Sequence, residues 1–239
     1  MEIKSTNDIN NFKIFCLIVG PSGVGKTTLA STLDKDKTII ISTERGLLSI
    51  KGTGIDYIEI QGYPEDDIKS DETKQGFNQF INAITMAVNA DKYENIFIDS
   101  LTEIGQMIFN DAKILYPDKN KTFLMYEYYS DQITKLLKRM RDQNSFNIFL
   151  TALDAMVKKD FTEVISIDLI QKSLAKKIPA LFDEVFYYQK LHREDGTTVR
   201  AICTDSDDVD FTKDRSGKLD KYEKPNLEEI KHKILGNKN

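Results

Sequence analysis

Cysteine, proline and histidine are scarce in this chain, and a long apolar run is missing altogether. Two cysteines occur among 239 residues, Cys16 and Cys203, both inside apolar runs of strand character. That is the pattern of packed thiols in a reducing compartment, not of a disulfide framework. Five Pro and 12 Gly beside 40% hydrophobic and 30% charged residues exclude fibrous repeats and a disordered chain. No stretch approaches the roughly 18 apolar residues of a membrane-spanning helix, and the opening MEIKSTNDINNF has no apolar segment behind its charges, so neither a span nor an export signal is expected. Net positive charge is lacking as well: the balance is −5, with a pI near 5.3. Any contact with a polyanion must therefore come from a local basic surface. His192 and His232 stand apart in charged surroundings and form no metal or nucleophile pattern. The expectation is a soluble, cytoplasmic globular protein.

What is present is an alternation of strand-like and helix-like segments. FKIFCLIV at 12–19 is a short apolar run ending at glycines, the form of a strand buried on both faces. A helical stretch, KTTLASTLDK, follows from Lys26, then a β-branched strand at Thr38–Ser42 and another at Ile55–Ile60. Beyond an acidic loop at 62–72, the spacing of Phe77, Phe80, Ile81, Ile84 and Val88 predicts a helix. The strand YENIFID ends at Asp99; helices are expected at about 101–115 and 123–142, and a strand at Asn147–Thr151. Such alternation predicts an α/β fold with a mainly parallel central sheet flanked by helices. Antiparallel strands are expected at 184–191 and 198–204, and a short helix starts near Asn226, with Asn226 as its cap and Glu229 three residues on. Residues 1–11 read as a polar leader, 12–204 as the core and 205–239 as a C-terminal segment.

Gly20-Pro21-Ser22-Gly23-Val24-Gly25-Lys26-Thr27 matches G-x-x-x-x-G-K-[ST] in full, between a strand and a helix. The chance expectation in a chain of this length is on the order of 0.01. Glycines let main-chain amides point inward and approach phosphates closely, and the start of a helix adds positive potential. Lys26 is expected at the β and γ phosphates, and Thr27 at a magnesium ion; the binding segment runs from Gly20 to Thr28. ATP and Mg2+ are the implied ligands. Asp99, at the end of a buried strand, is the expected partner of that ion, with capping of the following helix as its plainer alternative. The residue after Asp99 is Ser100, which cannot activate water. Glu44, at the end of another strand, is the candidate for that task, against a plain surface role beside Arg45.

IISTE at 40–44 resembles the strand and glutamate of RecA and RadA recombinases, and IFIDS at 96–100 resembles their Asp-Ser strand. Lys213-Asp-Arg215-Ser-Gly217 resembles the K-x-R-x-G segment of DnaB-type hexameric helicases; its bland reading is a solvated basic turn offsetting the acidic run 205–210. The order of motifs looks most like the phage-type RecA-like nucleotide-binding proteins that accompany single-strand annealing and recombination. The resemblance implies a RecA-type fold, Glu44 as catalytic base, and a head-to-tail homo-oligomer, ring or filament, in which Lys213 and Arg215 reach a neighbour's γ-phosphate. It also implies single-stranded DNA as a partner, with Lys158, Lys159, Lys172, Lys176 and Lys177 as contacts, and a single-strand binding protein beside it. A nucleotide-switched loader without direct DNA binding, or a helicase-like motor, remains the alternative. Thr151 stands where RecA has a glutamine, so a nucleotide-sensing role and a plain strand end are equally open. Thr151-Ala-Leu-Asp154 lacks the lysine of the guanine-reading element, which argues against GTP. The basic run KLLKRMR carries an apolar stripe (Ile133, Leu136, Leu137, Met140) and reads as an amphipathic helix; Tyr126, Tyr128 and Tyr129 read as packing residues.

Overall fold

The computed structural model describes residues 12–61, 75–159, 162–206, 209 and 211–236, with the side chains of Lys119, Lys159 and Thr162 excepted. The leader 1–11, the acidic loop at 62–72 and, in the acidic run 205–210, residues 207, 208 and 210 lie outside the described residues. Five parallel pairings build the sheet from β1 (Phe15–Gly20), β2 (Thr38–Ser42), β3 (Asp56–Glu59), β4 (Asn95–Asp99), β5 (Asn147–Lys159) and β7 (Glu184–His192). Their spatial order is β7-β1-β5-β4-β2-β3. Beyond β7 the sheet turns antiparallel through β8 (Thr198–Cys203) and β10 (Tyr222–Glu223); β9 (Lys213–Asp214) pairs with the start of β7, and β6 (Thr162–Ile167) with the far half of β5. The architecture is the one expected from the sequence: a mainly parallel sheet between helices, with antiparallel strands toward the C-terminus.

Both sheet faces are covered, which is why the strands read as unbroken apolar runs. In β1, Phe15, Leu17 and Val19 enter one core and Cys16 and Ile18 the other. The first core is closed by α2 (Gly76–Asn89), α3 (Leu101–Leu115) and α4 (Thr122–Arg141). The second lies under α1 (Lys26–Leu29) and α6 (Leu227–Leu235); α5 (Lys172–Ala175) belongs to the segment joining β6 to β7. The stripe Ile133, Leu136, Leu137 and Met140 of α4 is buried, as is Tyr129, while Tyr126 stays partly exposed. Asn226 caps α6 through bonds from the Glu228 and Glu229 amides at 3.1 Å, and Glu229 reaches back to its side chain at 2.9 Å.

Two elements differ from expectation. The helix after the glycine loop runs only from Lys26 to Leu29 before tightening into a 3-10 turn at Ala30–Thr32; its Ser and Thr hydroxyls bond back to carbonyls three residues earlier, which competes with helix continuation. The strand expected to stop at Thr151 continues to Lys159 and forms a hairpin arm with β6. Its polar, lysine-bearing residues lack the apolar run of a buried strand, because only half of this strand lies in the core.

A buried charge between α2 and α3 leads to a stability prediction. Asp111 is 3% exposed. Burial pushes its carboxyl from the ordinary 3.8 up to about 6, partly offset by a bond from the Phe77 main chain. A folded-state pKa above the unfolded one means that the folded protein prefers the protonated form. The penalty is therefore absent below pH 4, grows between pH 4 and 6, and is complete above that window. Asp111→Asn keeps an acceptor for Phe77 and removes the charge, so it should add about 3 kcal/mol at pH 8. Thermal melts should show a higher Tm at pH 8 and no gain at pH 4; an equal gain at both would disprove the account.

Candidate functional site

Strand β1 delivers the chain to the C-terminal edge of the sheet at Gly20, where a side chain would not fit: a Cβ there would lie 2.3 Å from the main-chain oxygen of Tyr188 on β7. The turn that follows is anchored by Val24, which is buried in the second core, while Ser22 and Gly23 are exposed. Gly25 has φ 105, in the region that a side chain rarely enters. The Lys26 ammonium folds back over this turn, its Nζ 2.7 Å from the Gly20 carbonyl and 3.0 Å from that of Pro21. Burial lowers its pKa, opposed by the negative charges of Glu44, Asp99 and Asp154. An almost fully buried lysine whose only bonds among the described residues are to the carbonyls of its own loop is a cation available to an anionic ligand.

Acidic and hydroxyl groups converge on the other side of the loop. Asp99 is 1% exposed and accepts from Thr27 Oγ1 at 2.6 Å and from Thr151 Oγ1 at 2.5 Å. Capping of α3, the alternative reading for Asp99, falls instead to Ser100, whose Oγ accepts from the Glu103 amide at 3.4 Å. The Ser100 hydroxyl also donates to Glu44 Oε1, and so draws the end of β2 toward the end of β4. Thr43 completes the joint, its Oγ1 2.9 Å from the Asp99 carbonyl and 2.8 Å from the Ser100 amide. Glu103, on the first turn of α3, has its pKa raised by burial and then by the charge of Glu44. Asp154 accepts from the Tyr187 hydroxyl at 2.9 Å, within a strand and not in the loop that guanine recognition would need.

These donors suit magnesium. They are hard oxygens, and Ser42 Oγ, on the strand paired to Asp99, is buried without a hydrogen-bond partner among the described residues. Among the described residues no group of three or more His, Cys, Asp and Glu forms a metal cage. Mg2+ needs none, because it keeps several waters and takes only one or two protein ligands beside substrate phosphates. Thr27 and Asp99 are the residues that would hold it.

Lys26, Thr27, Glu44 and Asp99 therefore meet in one place, and Lys213 and Arg215 do not join them. Strand β9 pairs with Glu184, which lies level with Cys16, four residues before Gly20 along β1. At about 3.3 Å per residue this places β9 some 13 Å down the sheet, toward its opposite edge. There Lys213 Nζ donates to the Phe182 carbonyl at 2.5 Å, and Arg215 to Asp183 at 2.6 Å. Lys158 stands exposed on the hairpin arm; Lys172, Lys176 and Lys177 are exposed along the segment leading to β7; the Lys159 side chain lies outside the described residues. The sequence reading missed Ser42 and Glu103, which carry no spacing signal, and the cationic face of β7 and β8, which counting outward from the turn Glu194-Asp-Gly196 would have revealed.

A family model described as an AAA domain matches residues 13–216. No curated protein matches the chain. Among solved structures, it is similar to a KaiC-like protein from the hyperthermophilic archaeon Pyrococcus horikoshii OT3, at 13% identity and a TM-score of 0.41, covering 80% of this chain and 77% of that one. It is also similar to the flagellar accessory protein FlaH from Methanocaldococcus jannaschii, at 14% identity and a TM-score of 0.41, over 80% and 76% of the two chains. An ATPase from the type III secretion system of pathogenic bacteria aligns at 14% identity and a TM-score of 0.45, over 74% of this chain and 52% of that one. No helix among the described residues is long and apolar enough to cross a membrane.

Proposed function

The chain belongs to the AAA-domain family, and from that premise we propose that it binds ATP with magnesium in the Gly20–Thr28 loop, hydrolyses it, and couples the cycle to single-stranded DNA in annealing and recombination of the phage type. The observation that carries the nucleotide reading is the buried Lys26 ammonium, bonded among the described residues only to the carbonyls of its own loop, with Thr27 and Asp99 hydrogen-bonded beside it. In this reading Lys26 binds the β and γ phosphates, and loop amides orient them. Glu44, held by Ser100, orients the attacking water and accepts its proton. Magnesium would neutralise charge developing on the phosphate oxygens. Lys213 and Arg215, remote from Lys26 in their own chain, serve a neighbour's γ-phosphate in a head-to-tail homo-oligomer.

The DNA reading is supported by the arm that extends β5 past the phosphate loop. Gly20 pairs with Leu153, so the residues from Asp154 onward project from the same edge of the sheet and carry exposed Lys158 with them. The net charge of −5 favours the second reading, a nucleotide-switched loader that acts through a partner such as a single-strand binding protein. Steady-state ATPase rates with and without single-stranded DNA, at low and high salt, separate the two. Stimulation of several-fold that fades as salt rises is the expected result, since phosphate contacts release counterions. A rate indifferent to DNA at both salt levels would leave the loader reading in its place.

A further inference from the structure

Beside the phosphate loop the hairpin of β7 and β8 presents a face that the nucleotide reading has not used. Side chains alternate across a sheet, so Tyr188, Lys190 and His192 share a face with Thr198 and Arg200. The register sets Lys190 directly opposite Arg200. Like charges opposed across two strands destabilise a hairpin unless an anion lies between or beside them. Among the described residues neither cation has an ion-pair partner.

This face forms one wall of a cavity of about 650 Å³, a size suited to a small ligand; its other wall is Thr28, Leu29 and Thr32, directly after the loop. No acidic residue lines it. Arg200 also reaches the loop itself. Its Nε lies 3.8 Å, and the Tyr188 hydroxyl 3.6 Å, from where a Cβ on Gly25 would stand. The charge of Arg200 is felt at Tyr188, where it opposes the rise in pKa caused by burial.

We propose that Arg200, seconded by Lys190, is a phosphate-binding residue supplied by the same chain: its guanidinium closes over the phosphate chain of a nucleotide in the Gly20–Thr28 loop, with the nucleoside in the cavity beside α1. The inference rests on the ATP reading and deepens it. Arg200 differs from Lys213 and Arg215 in requiring no second copy. Its planar fork offers paired N–H donors in a fixed geometry that matches two phosphate oxygens, whereas an ammonium acts as a compact point charge.

Isothermal titration with a non-hydrolysable ATP analogue and Mg2+ tests the assignment on wild type, Arg200→Ala, Arg200→Lys and Lys190→Ala. Arg200 is exposed, so the alanine variant should melt within a few degrees of wild type without ligand. Loss of a charge-assisted contact should weaken binding by about 10- to 100-fold in Arg200→Ala, with partial recovery in Arg200→Lys and a smaller loss in Lys190→Ala. Affinity within twofold of wild type in Arg200→Ala would overturn the role of Arg200 while leaving the ATP reading intact. So would unchanged nucleotide affinity with lost single-stranded DNA binding, which would assign these cations to a nucleic-acid backbone. A wild-type protein that binds no nucleotide would remove the ATP reading, and this inference with it.

Discussion

Replacing Lys26 by alanine should abolish ATP turnover, lowering kcat by a factor of about 10³ or more, while leaving the apo fold in place. The ammonium is the one cation inside the loop; it binds the phosphates in the ground state and faces more charge in the transition state, so its loss falls on both affinity and rate. Its removal should cost the apo protein little: burial already disfavours its charge, and the bonds given up are to two carbonyls of the same turn. Two measurements check this together. Steady-state hydrolysis should drop to background, and the rise in Tm that saturating Mg-ATP gives to wild type, about 2.7 kcal/mol of stabilisation at a hundredfold excess over Kd, should shrink sharply. Undiminished hydrolysis in Lys26→Ala would take the nucleotide reading with it.

Glu44→Gln should separate binding from chemistry. Gln keeps an oxygen to accept from the Ser100 hydroxyl, so the joint between β2 and β4 should persist. It cannot accept a proton from water at neutral pH, and loss of a general base typically costs 10²- to 10⁴-fold. The expected phenotype is a low kcat with a KM and an analogue Kd close to wild type. If turnover stays within a few-fold, the base lies elsewhere, and Glu103, whose carboxyl is near enough to feel the charge of Glu44, is the group to change next. A parallel loss of affinity and stability would instead mean that Glu44 acts as a strut for Ser100 and not as a base.

Much of this molecule was legible along the chain. The glycine loop is local: eight consecutive residues carry the close-approach glycines, the cation and the hydroxyl, and the elements on either side are declared by an apolar run and its abrupt end. Helices α2 to α4 were readable because each buries one stripe at the helical period. Strands β1, β2 and β4 were readable because both their faces are covered. The convergence of Glu44 and Asp99 was suggested by their places at the ends of two apolar strands and by resemblance; the contact itself, which runs through Ser100 and Thr43 between neighbouring strands, was not.

The remainder was less legible. The hairpin arm after Thr151 is half outside the core, so its composition does not mark it as strand. Asp111 looks like any helix-surface carboxylate until α2 closes over it. Arg200 and Lys190 can be set opposite each other by counting outward from the hairpin turn, but only the pairing of β7 with β1 turns their face toward Gly25. Sequence alone therefore determined the phosphate-loop chemistry and the layered α/β class, because both arise from short-range pattern: residue type at fixed spacing, and burial on one or two faces. Which acids, hydroxyls and cations surround that loop was decided by tertiary structure, because strand order and register bring together residues separated by 50 to 180 positions, and no local periodicity encodes that choice.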